Sequence, residues 1–244
     1  MQKIVDPWSE FRSLVLLVHP GCTVDVISRL YLELINKYNE PHRHYHNLDH
    51  ILYCLDKLKE FQGEEYDDIA VRFALWYHDG VYNIGDNQNE EKSCELAEKH
   101  LLQIVKPCSL IENVRTLILV TKHLQASQLF SFECKLMVDV DLSSFGDRPE
   151  FQHSCELIRK EYFSIDEKIY LTERIKILFN FITRPSIYLT NYFREKYELQ
   201  AFENICFEII KMKRRLFELN SHEESKTKFK SDFTTGREGI SDPD

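Results

Sequence analysis

The chain is 244 residues long and 43% hydrophobic, and its 40 Asp and Glu against 31 Lys and Arg leave a net charge of −9. That apolar content suffices for one substantial core. The acidic balance argues against broad binding to nucleic acid polymers, so any phosphorylated ligand is expected to be a small metabolite or nucleotide and not a polymer.

In chain order, Leu14-Val15-Leu16-Leu17-Val18 is too short to span a bilayer, and no signal peptide is evident. After a break at Pro20-Gly21, Val24, Ile27, Leu30, Tyr31 and Leu34 form an amphipathic helical stripe. Asn39-Glu40-Pro41 ends it. Further helical stripes follow at Ile51, Cys54, Leu55 and Leu58, at Val71, Leu75 and Tyr77, at Leu96, Leu101 and Ile104, and at Val114, Leu117 and Ile118, with Gly63 and Pro107 as punctuation. Beyond Gly146-Asp147-Arg148-Pro149, Phe151, Cys155, Ile158 and Tyr162 share one helix face, which leaves His153 for solvent. Ile169, Ile175, Leu178, Phe179 and Ile182 precede a break at Arg184-Pro185, and Phe202, Ile205 and Ile209 mark a last helix. Strand alternation is almost absent, so the fold class expected is all-α, one helical domain over residues 1–220. From Ser221 to Asp244 the composition turns to Ser, Glu, Lys, Thr, Gly and Asp, which predicts a disordered tail. The seven cysteines are scattered and never form Cys-x-x-Cys, which fits a reducing, cytoplasmic location.

The chemistry lies in three separated motifs, Tyr45-His46-Asn47-Leu48-Asp49-His50, Tyr77-His78-Asp79-Gly80 and Asp139-Val140-Asp141-Leu142. Imidazole nitrogens mixed with carboxylate oxygens suit manganese, iron, cobalt or nickel, with magnesium also open and one or two ions possible. His50, His78, Asp79 and Asp141 are the candidate ligands. A His-Asp dipeptide alone is common, and two histidines four apart on a helix can be a solvated face. Here, however, His78-Asp79 ends the apolar run Ile69 to Tyr77, where an unpaired Asp is expensive to bury.

The ordered set of one His, a His-Asp pair and a distant Asp resembles the HD superfamily of metal-dependent phosphohydrolases. Arg43 to His50 is similar to a branch described as predicted metal-dependent phosphohydrolases. Trp76 to Tyr82, Asn89 to Ser93, Thr121 to His123, Asp139 to Leu142 and Arg159 to Tyr162 fall in that branch's order, over roughly the first 210 residues. The resemblance implies an HD-type helical bundle and hydrolysis of a small phosphate ester or nucleotide by metal-activated water. Tyr45-His46-Asn47 followed by His50 also resembles the catalytic helix of cyclic-nucleotide phosphodiesterases, which implies His46 as general acid and His50 as ligand. Asp139 is also available as the last ligand. Asp141-Leu142-Ser143 favours Asp141 by its likeness to the phosphodiesterases.

Around this set, Glu90 and Glu91 are candidates to orient water, although Asn89-Glu90-Glu91-Lys92 reads first as a helix cap with an acidic first turn. Arg43, Lys92, Lys122 and Arg159 are candidate phosphate clamps, and His123 is a candidate for a second metal or a phosphate oxygen. Zinc protease, zinc deaminase and phosphate-loop motifs are missing from the sequence. The alternatives to hydrolysis are a dinuclear-iron oxygenase on the same fold and a scaffold that binds metal or ligand without catalysis.

Overall fold

Local sequence sets the helix starts. In the computed structural model, which describes residues 6–106, 109–123 and 131–235, with side chains to residue 221, seven of ten α-helices open on a side-chain oxygen that accepts a backbone N–H within the first turn. Asp6 caps α1 (Pro7–Val18), Thr23 caps α2 (Val24–Tyr38), Asn47 caps α3 (Leu48–Glu60) and Asp67 caps α4 (Asp68–Tyr77). After α5 (Asn89–Leu101) and α6 (Ser109–Leu119), Ser131 caps α7 (Phe132–Asp141) and Asp147 caps α8 (Arg148–Glu161). Asp166 likewise caps α9 (Glu167–Ile182), and α10 (Asn191–Thr235) closes the order. Single 3₁₀ turns extend α6 over Val120–Lys122 and α7 over Leu142–Gly146. No strand occurs among the described residues, so the chain is all-α as its periodicity predicts.

The fold is organised around α4. Ala70, Val71, Phe73, Ala74, Leu75, Trp76 and Tyr77 are all 1% exposed or less, so this helix is enclosed on most of its sides, with Arg72 reaching out to pair with Glu10 and Asp68, and lies in the middle of the bundle. Helices α1, α3, α5, α6 and α7 surround it. Each large side chain buried there stabilises the fold by about 1.5–3 kcal/mol. The helix must end where His78 begins, and the core thereby delivers the His-Asp pair to a fixed place.

On the other side, α8 and α9 pack with α10 and the 3₁₀ turn Leu142–Gly146. A Cβ at Gly146 would strike the Tyr197 side chain, so this turn meets α10 at backbone distance. Asn204 donates to the Phe145 carbonyl at 2.8 Å and Tyr188 to that of Leu142 at 3.1 Å.

Three expectations are corrected. Ile169 and Phe179 are 58% and 51% exposed, so the α9 stripe reaches the core only through Leu178, Ile175 and Ile182, and Phe202 on α10 is 47% exposed. The tail expected to be disordered from residue 221 is helical in its backbone through Thr235, because no Gly or Pro interrupts the chain between Pro185 and Gly236. No helix among the described residues is long and apolar enough to cross a membrane.

Candidate metal centre

The ends of three helices converge. His50 stands in the first turn of α3, His78 and Asp79 follow the last residue of α4, and Asp141 is the last residue of α7. His50 Nε2 lies 3.1 Å from Asp141 Oδ1 and 3.7 Å from Asp79 Oδ2. His78 Nε2 lies 3.2 Å from Asp79 Oδ2 and 3.4 Å from Asp141 Oδ1. These four side chains are positioned to hold a metal ion.

The donor set fits a cation on its own chemistry. His78 Nδ1 donates to the Leu75 carbonyl at 3.0 Å, so the neutral ring presents its Nε2 lone pair to the two carboxylates. That buried Nε2 has no hydrogen-bond partner. Burial opposes charge on His78, yet Asp79 and Asp141 hold its pKa well above the imidazole range. Burial would likewise raise both aspartates, but His78 and its neighbours keep Asp79 depressed, and His123, His50 and His78 do the same for Asp141. A cation satisfies this field without a proton. Cys54 Sγ is 3.8 Å from His50 and forms with His50 and Asp141 a second group that could hold a metal ion, although burial raises its thiol pKa in the absence of one.

Asp139 faces the other way. Its carboxylate accepts from the Leu189 and Thr190 backbone N–H groups and the Thr190 hydroxyl, each at 2.7 Å, and ties the segment before α10 to α7. Of the two aspartates only Asp141 reaches the histidines. Its second oxygen, Oδ2, is 3.0 Å from His123 Nε2. His123 follows the 3₁₀ turn at φ 53°, an uncommon left-handed conformation for a side chain of this kind. Arg184 donates to its carbonyl at 2.9 Å.

His46 is held by a residue that the sequence reading did not assign. Glu161 Oε1 accepts from His46 Nδ1 at 2.5 Å, and Glu161 Oε2 accepts from the backbone N–H groups of His44, Tyr45 and His46 at 3.0, 2.9 and 3.1 Å. A carboxylate at the C-terminus of α8 opposes the helix dipole. Those donors offset it: burial would raise Glu161, but His46 and the backbone hold it down to about 2. For His46, burial opposes the charge, while Asp79, Glu161 and Asp141 raise its pKa above the ordinary value. The ring stacks on Tyr82 at 3.9 Å between centroids, and Tyr82 shares a 2.8 Å hydrogen bond with Tyr162. One signal could have found Glu161: it falls in phase with the buried Phe151, Ser154, Cys155 and Ile158, and an acid at an interior helix position needs a partner.

These groups open into one cavity of about 650 Å³. His46, Glu90, Lys122 and His123 line it with the four candidate ligands, and the pocket-facing side of α9 supplies Ile169, Arg174, Ile177 and Phe181. Arg174 and Arg184 are cations at this wall that the sequence did not single out, and the buried Arg174 Nε has no hydrogen-bond partner among the described residues. Glu90 is half-buried, and burial raises its pKa.

Four further candidates do not line the cavity. Arg43 has no exposed side-chain surface and donates to Glu40 and to the carbonyls of His46, Asp79 and Gly80, so it joins the first motif to the second and is not free for phosphate. Glu91 sits outside the cavity and pairs with Lys122 at 2.5 Å. Lys92 pairs with Asp86 on the loop before α5. Arg159 donates to the Tyr162 carbonyl and lies over the Tyr170 ring. The helical phase explains Glu91 and Lys92: neighbours of Glu90 on α5 point about 100° and 200° away from it.

No protein-family model, curated protein or solved structure matches the chain.

Proposed function

We propose that this chain is a metal-dependent phosphohydrolase of the HD type, acting on a small phosphate ester or nucleotide. The observation that carries the reading is the juxtaposition, on one cavity, of a cation-shaped ligand set and a histidine whose Nδ1 is fixed by a buried carboxylate. His50, His78, Asp79 and Asp141 would hold a divalent ion; manganese, iron, cobalt, nickel and magnesium all accept such ligands. When bound, the ion supplies a low-pKa water and a Lewis acid for a phosphoryl oxygen.

The protein's own groups do the rest. Glu161 keeps the His46 Nδ1 proton in place and favours the imidazolium, so Nε2 carries a proton to give to the leaving oxygen. Lys122, Arg174 and Arg184 bring positive charge to the wall, and Lys122 must exchange its Glu91 contact to reach a phosphate. His123 orients Asp141 through its second oxygen, an arrangement compatible with one ion or with two. The apolar face of α9 would take the non-phosphate part of the substrate. The six cysteines that the structure describes are all free, which supports the cytoplasm as its compartment.

Elemental analysis after incubation with manganese or ferrous iron and desalting tests the reading, with Asp79→Ala as control, followed by a phosphate-ester screen of the loaded protein. One or two ions per native chain, almost none in the variant, and turnover that His46→Ala lowers while keeping its metal are expected. Equal, negligible metal in both proteins would sink the metal centre. Metal without phosphate release across monoesters, diesters and nucleotides would leave a binding module.

A further inference from the structure

We propose that the chain forms a two-fold symmetric homodimer through the outer face of α10. The inner face of this helix, with Ala201, Ile205, Ile209 and Met212, is buried against the core. Its outer face is also apolar. Leu199, Cys206, Ile210 and Phe217 recur at seven, four and seven residues and so lie along one stripe. Leu199, Ile210 and Phe217 are 74%, 66% and 72% exposed, with Phe202 beside them. A lone exposed leucine needs no explanation, but an aligned row over about 27 Å of helix is the kind of patch that a partner covers.

The pattern selects a second copy as that partner because it is complementary to itself when reversed. With the two-fold axis midway between Cys206 and Ile210, antiparallel copies of α10 place Leu199 opposite the partner subunit's Phe217 and Cys206 opposite the partner subunit's Ile210. The same register sets Glu203 against the partner subunit's Lys213. Both residues are exposed, and neither has an ion-pair partner among the described residues. One axis thus matches apolar with apolar and acid with base. Leu199, Phe202, Ile210 and Phe217 would bury about 500 Å² of side chain per protomer, taking about 200 Å² for each when fully exposed. The stems of Glu203, Lys213 and Arg214 around them bring the patch toward the ~800 Å² per partner of a standard interface.

Sedimentation equilibrium of the full chain from about 1 to 100 µM tests this. The wild type should show twice the 29.1 kDa chain mass, and Ile210→Glu should weaken the dimer roughly 30-fold or more. Glu203→Lys and Lys213→Glu should each weaken it alone, and the double exchange should restore it, a rescue that a merely damaged helix would not give. Far-UV circular dichroism checks that the surface variants keep their helix. A monomer throughout the range overturns the proposal. So does a dimer that tolerates Ile210→Glu, or a double exchange weaker than either single. None of these outcomes depends on the cavity or its metal.

Discussion

Replacing Glu161 by Gln isolates a charge while keeping the shape. The Gln oxygen can take the three backbone N–H groups of His44, Tyr45 and His46, so the loss is the carboxylate charge and the acceptor for His46 Nδ1. Glu161 falls from an ordinary 4.5 to about 2 in the folded chain, and the side chain has no exposed surface to screen it. A depression of that size corresponds to about 3 kcal/mol of folding stability, an upper limit for this variant. Because the folded pKa lies below the unfolded one, that stability is fully present above pH 4.5 and is lost as the pH falls toward 2. Urea unfolding at a series of pH values should therefore show E161Q about 2–3 kcal/mol less stable at pH 6, with the gap narrowing only below pH 4.5. Metal uptake should persist, and turnover should drop by roughly 10²–10⁴ if His46 is the proton donor. A stability difference under about 0.5 kcal/mol at pH 6 would refute the claim that these donors hold a buried carboxylate.

Other perturbations address the remaining contacts. Burial pushes Asp139 up to about 6 despite its three donors, so its contribution is complete below about pH 4 and is lost as the pH rises through 6; carbon NMR of the carboxyl should show that midpoint, and a value near 3.8 would contradict it. Gly146→Ala should cost about 1–3 kcal/mol in thermal unfolding through its clash with Tyr197, whereas Gly21→Ala, with only the His19 ring near van der Waals distance, should cost far less. Arg43→Ala should destabilise the fold by at least about 2 kcal/mol, since it strands buried carbonyls of both motifs. A variant that lost activity at full stability would return Arg43 to the substrate.

The helices were legible because their apolar stripes are local; the one cap read from the sequence, Asn89, instead stands inside α5 with its side chain bonded to the Asn83 backbone, while Thr23, Asn47, Asp67 and Asp147, not read as caps, open their helices within three residues. The ligand types were legible too, since a His-Asp pair after an apolar run has few other uses. What the sequence concealed is how charges are spent across long separations. Arg43 beside a histidine motif looks like a phosphate clamp until the fold brings the Asp79 and Gly80 carbonyls to it. Glu161 lies 115 residues from His46, and no spacing rule connects them. The Asp139–Asp141 choice rested on a likeness in the sequence. In the structure it turns on α7, which carries one aspartate toward Thr190 and the other toward the histidines.

That His78 and Asp79 hang from the most enclosed helix of the bundle has a consequence for how this chain can vary. A change of one methylene around Leu75 or Trp76 is felt at the end of α4, and ligand geometry tolerates displacements well under an ångström. Interior and centre are therefore inherited as one unit. Variation in the cavity is least constrained on its far wall, at exposed α9 residues such as Ile169 and Ile177.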